Sequence, residues 1–149
     1  MSPSVPDVEV TIPPRPEFVG VVRHVMGAVA RLGQHSPEFV ENAKLAGSEA
    51  VTNAVALSGR AGTDQPVEVR AMLDDDRLEI EVADRGAGAK EQFADMGDTT
   101  DTPAGGFESG LSLPLLEGLV DELAIDPRDG GGNVVRMALI RELDEEGPD

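Results

Sequence analysis

Residues 77–88 read Arg77-Leu78-Glu79-Ile80-Glu81-Val82-Ala83-Asp84-Arg85-Gly86-Ala87-Gly88. Leu78, Ile80 and Val82 fall to one side and Glu79 and Glu81 to the other, the period-two pattern of a strand with one buried face. The strand then meets Asp84 and two glycines, and no helix opens on them. That excludes a dinucleotide-binding fingerprint. A Walker loop is excluded as well, because Gly-Lys-Ser/Thr occurs nowhere in the chain.

Toward the N-terminus, residues 67–73 form a second strand, joined to the first by the acidic turn Asp74-Asp75-Asp76. Ser36-Pro37-Glu38-Phe39 is a helix start, with a capping hydroxyl, proline in the first turn and an acid beside it. The spacing predicts a helix from there to about Leu57, ending at Ser58-Gly59. An earlier helix runs from Glu17 to Leu32, with Phe18, Val22, Val25, Met26, Val29 and Leu32 at helical intervals and Gly33 past its end. Residues 8–12 alternate and stop at Pro13-Pro14, as an edge strand does.

Toward the C-terminus, periodicity vanishes from Asp84 to about Ser109, and a stretch of that length without pattern is commonly functional. A helix from about Leu111 to Leu123 follows, with Pro114 confined to its first turn. A short strand near 122–126, a Gly130-Gly131-Gly132 turn, a strand at 133–140 and an acidic tail from Glu142 complete the chain. The order strand, helix, helix, hairpin, loop, helix, hairpin predicts an α/β two-layer sandwich. Its antiparallel or mixed sheet is covered on one face by three helices. The expected organisation is one domain over 1–149, with its core at about 8–140.

Bulk properties narrow the function. A formal charge of −17 leaves no basic surface for a nucleic-acid backbone, and the absence of Trp and Tyr removes stacking platforms for single strands. The chain has no cysteine and only His24 and His35, so thiolate zinc sites, a Cys nucleophile and a histidine-rich metal site are excluded. No run approaches the roughly 20 apolar residues of a membrane span. Met1 to Asp7 lacks the pattern of a secretory signal, so a cytoplasmic protein is expected.

Three segments carry candidate chemistry. Glu49 and Asn53 project from one face of the second helix, one turn apart, among the small residues Ala46, Gly47, Ala50, Val51, Ala54 and Val55. A carboxylate and a neutral oxygen donor there suit Mg²⁺ or a water, although the spacing also describes a solvated face. Asp84 at its strand end can accept the exocyclic amine of adenine, and Gly86 and Gly88 let backbone approach a flat ring, although Asp and Gly also make ordinary turns. Ser109-Gly110-Leu111 at a helix start offers N–H groups to phosphate, or is a plain junction.

Taken together, Ser48-Glu49-Ala50-Val51-Thr52-Asn53-Ala54, Asp84-Arg85-Gly86-Ala87-Gly88 and Ser109-Gly110-Leu111-Ser112-Leu113 match three boxes of one family in order and spacing. Over about residues 8–140 the chain resembles the anti-sigma-factor serine kinases of bacteria. These are stand-alone members of the superfamily that includes the histidine-kinase, gyrase and heat-shock ATPases. The resemblance implies a Bergerat-type fold with Asn53 on a Mg²⁺ that bridges the ATP phosphates. It places Asp84 on the adenine amine, Gly86 and Gly88 along that wall, and Ser109, Gly110, Leu111 and Ser112 at the phosphates. Residues 89–109 become the lid, and Glu49 the general base toward a serine of an anti-anti-sigma protein. A sigma factor as second partner and a homodimer are implied too.

Three positions depart from the family pattern. Ser112 stands for the second glycine of its box, Glu108 for an arginine that reaches the terminal phosphate, and Asn133 for a threonine near adenine. From Glu91 to Glu108 there is no Lys or Arg. The sequence therefore predicts a serine/threonine-protein kinase acting in partner switching, and its alternative is a catalytically weak or inactive regulator on the same fold. A detached histidine-kinase catalytic domain fits less well, with no phospho-accepting His region or coiled coil present.

Overall fold

The computed structural model describes residues 6–33, 36–89 and 113–140. Strand β1 (Val8–Ile12) leads through a 3₁₀ turn (Pro16–Phe18) to helices α1 (Val19–Leu32) and α2 (Pro37–Ala61). The hairpin β2 (Val67–Leu73) and β3 (Arg77–Asp84) follows, and then α3 (Leu113–Leu119), β4 (Glu122–Pro127) and β5 (Asn133–Ile140). The strands form one sheet in the order β1-β2-β3-β5-β4, and every neighbouring pair is antiparallel. The predicted two-layer α/β sandwich is the observed one, with an antiparallel rather than a mixed sheet.

Register explains why the helices cover one face. Val69 lies opposite Val82, Ile80 opposite Met137 and Leu78 opposite Leu139, and all six side chains are buried. Because side chains alternate along a strand, these pairs share one side of the sheet. Val22, Met26 and Val29 of α1, Val51 and Ala54 of α2 and Leu116 of α3 join them in a single core. Charged residues take the other face. Glu9, Arg70, Glu81 and Arg136 stand directly opposite one another on β1, β2, β3 and β5, and Asp126 of β4 closes the row. Successive contacts along it measure 2.8, 3.2, 3.1 and 3.3 Å. Signs alternate along the whole row, which suits an exposed sheet face.

Helix boundaries depart from the sequence reading in three places. The turn at Pro16–Phe18 delays α1 until Val19, and Leu32, expected on the apolar face, is 74% exposed. The inner face of α1 is completed instead by Gly27 and Ala30. Helix α2 does not stop at Ser58-Gly59. It runs one turn further, to Gly62 at φ 68°, where the left-handed conformation suits glycine and the Gly62 N–H bonds back to Gly59. Helix α3 ends at Leu119 rather than Leu123. The Asp121 N–H is captured by the Ala138 carbonyl, and the Asp121 carboxylate accepts from the Ile140 N–H, which draws the chain into β4. Ser36 caps α2 as read, accepting from the Phe39 N–H at 3.1 Å.

Two glycines of α2 should respond to alanine with opposite signs. A Cβ at Gly47 would lie 2.6 Å from Met26 Cγ at the α1–α2 crossing, whereas one at Gly59 would meet nothing within 4 Å among the described residues. In urea unfolding we expect Gly47→Ala to lose roughly 1–3 kcal/mol through overpacking. Gly59→Ala should gain about 0.5–1 kcal/mol from helix propensity.

Candidate functional site

Glu49, Asn53 and Leu57 recur every four residues along α2, about 6 Å apart along its axis, and so form one ridge. Glu49 is partly buried and Asn53 is 3% exposed. The Asn53 Oδ1 has no hydrogen-bond partner among the described residues, although it is fully enclosed. A buried acceptor without a donor is costly unless a ligand supplies one. The end of this ridge is where the glycine segment arrives. Ala87 N–H donates to the Leu57 carbonyl at 2.9 Å, and a Cβ on Gly86 would strike the Leu57 and Ser58 backbone well inside contact distance. Only glycine permits that approach. Ser58, fully buried beside it, also has a hydroxyl without a partner among the described residues, which sequence reading passed over.

Asp84 ends β3 at 1% exposure. Its Oδ1 accepts from the Gly86 N–H at 2.7 Å and from Asn133 Nδ2 at 3.0 Å. Burial raises the Asp84 carboxyl above its ordinary value of 3.8, against the opposing pull of the Gly86 and Asn133 hydrogen bonds and the charge of Arg128. Asn133 also donates to the Ala87 carbonyl at 2.7 Å and accepts from the Ala89 N–H at 2.7 Å. Gly88 thus sits at the apex of a bend held on both sides by one side chain.

Two arginines tie this bend to the β4–β5 turn. Arg128 donates to the Asp84 carbonyl at 3.3 Å and to Glu68 at 2.9 Å. Arg85 donates to the carbonyls of Asp129 and Gly131. Gly130, Gly131 and Gly132 all have positive φ, and a Cβ on Gly132 would collide with the Asp84 carbonyl. The bonds of Asn133, Arg85 and Arg128 span more than 40 residues of sequence, so no local signal announced them.

The structure therefore brings Asn53, Gly86, Gly88 and Asp84 to one end of the sandwich, where α2 meets the β3 terminus, with Glu49 one turn further along α2. Ser109, Gly110, Leu111 and Ser112, together with most of the expected lid and Glu108, lie outside the described residues. The site fits a divalent ion with phosphate company. Asn53 Oδ1 is a neutral, unsatisfied oxygen, and no group of three His, Cys, Asp or Glu forms a protein-only cage among the described residues.

The histidine kinase-like ATPase domain profile matches residues 12–139. The chain belongs to that family. Its serine-protein kinase relatives named RsbW align over nearly the whole length. The protein from Bacillus pumilus is 38% identical, covering 98% of this chain and 91% of the relative. That from Bacillus subtilis is 33% identical, covering 93% and 87%. The Listeria monocytogenes protein is 30% identical, covering 93% and 90%. The family is thus that of the anti-sigma-factor serine kinases, and the chain is an ATP-dependent protein serine kinase. A chain of the SiaB–SiaC complex from Pseudomonas aeruginosa superimposes with a TM-score of 0.59 at 10% identity, covering 91% of this chain and 89% of that one. It shares the fold.

The raised carboxyl of Asp84 fixes the sign of a stability effect. The folded state holds its proton to higher pH than the unfolded chain, so ionisation costs stability as pH rises through that window and the cost is complete above it. In the absence of nucleotide, Asp84→Asn should melt at least as high as the wild type at pH 7, with the advantage fading as pH falls through the raised folded-state value and gone below about pH 4, the ordinary carboxyl value. If Asp84 accepts from the base amine, as the resemblance implies, the same variant should bind ATP at least tenfold more weakly. Thermal unfolding by circular dichroism across pH and titration with ATP check the two halves.

Proposed function

We propose that this kinase binds ATP between the Glu49–Asn53 ridge of α2 and the Asp84–Ala89 bend, and passes the terminal phosphoryl group to a serine or threonine of an anti-anti-sigma protein. The observation that carries this reading is the buried, unpartnered Oδ1 of Asn53, on the helix whose next turn meets that bend. Asp84 would accept the amine of adenine, with Gly86 and Gly88 shaping that wall. Asn53 would hold Mg²⁺, which neutralises phosphate charge when bound. Ser109, Gly110, Leu111 and Ser112 would contact the phosphates. Glu49 would take the proton of the attacking hydroxyl as its oxygen bonds to the terminal phosphorus and the bond to the bridging oxygen breaks. Such transfers depend on placement and charge neutralisation, so the metal ligand should matter as much as the base.

The relatives' name supports a serine acceptor. In partner switching the same protein would bind a sigma factor in its other state, as a cytoplasmic homodimer. No helix among the described residues is long and apolar enough to cross a membrane. One sequence observation favours a second reading, a regulator that binds ATP and a partner but transfers slowly. Glu108 stands where an arginine would reach the phosphate, and residues 91–108 hold no cation.

Incubation with γ-labelled ATP, Mg²⁺ and a cognate anti-anti-sigma protein separates the two. We expect label transfer by the wild type, a fall of at least 100-fold in Glu49→Gln with ATP binding retained, and loss of Mg²⁺-dependent affinity in Asn53→Ala. Binding without transfer by the wild type selects the regulator. Unchanged Mg²⁺-ATP affinity in Asn53→Ala removes the metal assignment.

A further inference from the structure

Cations are scarce in this chain, and those on the sheet are paired, yet the outward side of α1 carries two that are not. Arg23 and Arg31 are exposed, and among the described residues neither forms an ion pair or a hydrogen bond. The helix itself contains no Asp or Glu, in a chain with 29 of them. Arg23, Gly27 and Arg31 recur every four residues and so share one ridge. The stem of Lys44 from α2 fills the gap at Gly27, where a Cβ would lie 3.0 Å from Lys44 Cγ and 3.4 Å from Arg31 Nη1. Arg31 is thereby laid back along the ridge, beside a lysine whose ammonium pairs with Glu41 at 3.6 Å. Roughly 120° round the helix, Val21, Ala28 and Leu32 form a second exposed ridge. Val21 is 45% and Leu32 74% exposed, two of the four large aliphatic side chains that the described residues leave in solvent. The strip between the ridges holds Gly20 and His24, and a Cβ on Gly20 would meet nothing within 4 Å among the described residues.

We propose that the outward face of α1 is a docking surface for an acidic amphipathic helix of a partner protein, whose carboxylates meet Arg23 and Arg31 while its apolar residues cover Val21, Ala28 and Leu32. Charge complementarity selects this occupant. Two guanidiniums without carboxylates are the local exception in a chain of net charge −17, and they offer forked, charge-assisted hydrogen bonds. Exposed aliphatics at intervals of seven and four match the anchor spacing of a helix laid against a groove. An acidic segment is repelled by the rest of the chain and held only where the sign reverses, so the surface is selective as well as attractive. A phospholipid surface fits less well, because its negative potential acts on the whole acidic chain. The face is also remote from the bend at Asp84. Helix α1 runs antiparallel to α2, with Met26 against Gly47 and Gly27 against Lys44, and Lys44 stands about 20 Å along α2 from Leu57. Docking here and binding of nucleotide are therefore separable by mutation.

The probe is a fluorescein-labelled helical peptide with glutamates along one ridge and leucines along the next, titrated with the full chain by fluorescence anisotropy. The wild type should bind it about tenfold more tightly than the same peptide with glutamine in place of glutamate. Arg23→Glu combined with Arg31→Glu should weaken binding at least tenfold, and Leu32→Ser severalfold, with ATP affinity and melting temperature retained. Arg60, exposed and without a partner among the described residues but at the other end of α2, is the control, and Arg60→Glu should leave peptide binding unchanged. Equal losses in Arg60→Glu and in the α1 variants would reveal a bulk charge effect and overturn the proposal. Unchanged binding in the α1 variants overturns it too, as does co-sedimentation of the chain with phosphatidylserine vesicles in place of peptide binding. The cognate sigma factor or anti-anti-sigma protein, whose part rests on the proposed function, should displace the peptide, and failure of both to do so removes the docking role. ATP binding and label transfer, measured alongside, test the nucleotide reading separately.

Discussion

Ala87 donates its N–H to the Leu57 carbonyl across the gap between the end of β3 and the body of α2, and Gly86 makes the approach possible by having no side chain. This contact joins the two layers of the sandwich at their functional end. Asn53 lies one helical turn from Leu57, and Asp84 lies three residues before Ala87, so this hydrogen bond helps set the span between Asn53 and Asp84. Shifting the bend by even an ångström would change that span, and positioning on this scale governs phosphoryl transfer. The cross-links from Asn133, Arg85 and Arg128 restrain the bend from the opposite side, through the β4–β5 turn. The bend is thus gripped between a helix and a hairpin, and neither could fix it alone.

Much of this was legible in sequence because it is local. The alternation of Leu78, Ile80 and Val82, the Ser36-Pro37 start of α2 and the proline stop after β1 each follow from the nearest few residues. Glu49, Asn53 and Asp84 could be singled out because polar groups among small or apolar neighbours demand partners. Misreadings cluster where two local signals compete. Gly59 and Gly62 both look like helix ends, and only the backbone conformation, positive φ at Gly62, distinguishes them. Leu123 continues the apolar pattern of a helix, but β5 claims the chain at Asp121 first, through a pairing made far along the sequence. Asn133 was visible as a departure from the family pattern, yet its role depends on where Asp84, Ala87 and Ala89 converge, which no spacing encodes.

The charge of −17 acquires a different meaning once the sheet is seen. Arg70 and Arg136 sit within a row whose signs alternate from β1 to β4, and Arg77 pairs with Glu79 and Glu122 on the same face. Individually such exposed pairs contribute little, about 0–1 kcal/mol. As a row they cross every strand and leave few uncompensated charges on that face. With 29 acidic residues against 12 basic ones, much of the chain's negative field must then arise elsewhere. An acidic field suits a basic protein surface as partner and disfavours nucleic acid.

The functional end carries groups that the fold alone does not satisfy. Among the described residues Asn53 Oδ1 has no donor and the Ser58 hydroxyl no partner, and Asp84 is a carboxylate with its affinity for protons raised by burial. Each costs stability in the folded chain, and each would be relieved by a partner that brings a cation, a hydrogen-bond donor or a proton. Stability and binding are linked in this way by mass action: what binds the folded chain and not the unfolded one returns the cost of those unsatisfied groups. Around them the structure is unusually well restrained, by close-packed glycines, arginine cross-links and a fully bonded carboxamide. Restraint around a few unsatisfied polar atoms keeps their geometry ready before ligand arrives, so less of the binding energy goes into ordering the site. That division, rigid support about deliberately unpaired groups, is the physical reason a buried asparagine and a buried aspartate can coexist with a stable sandwich.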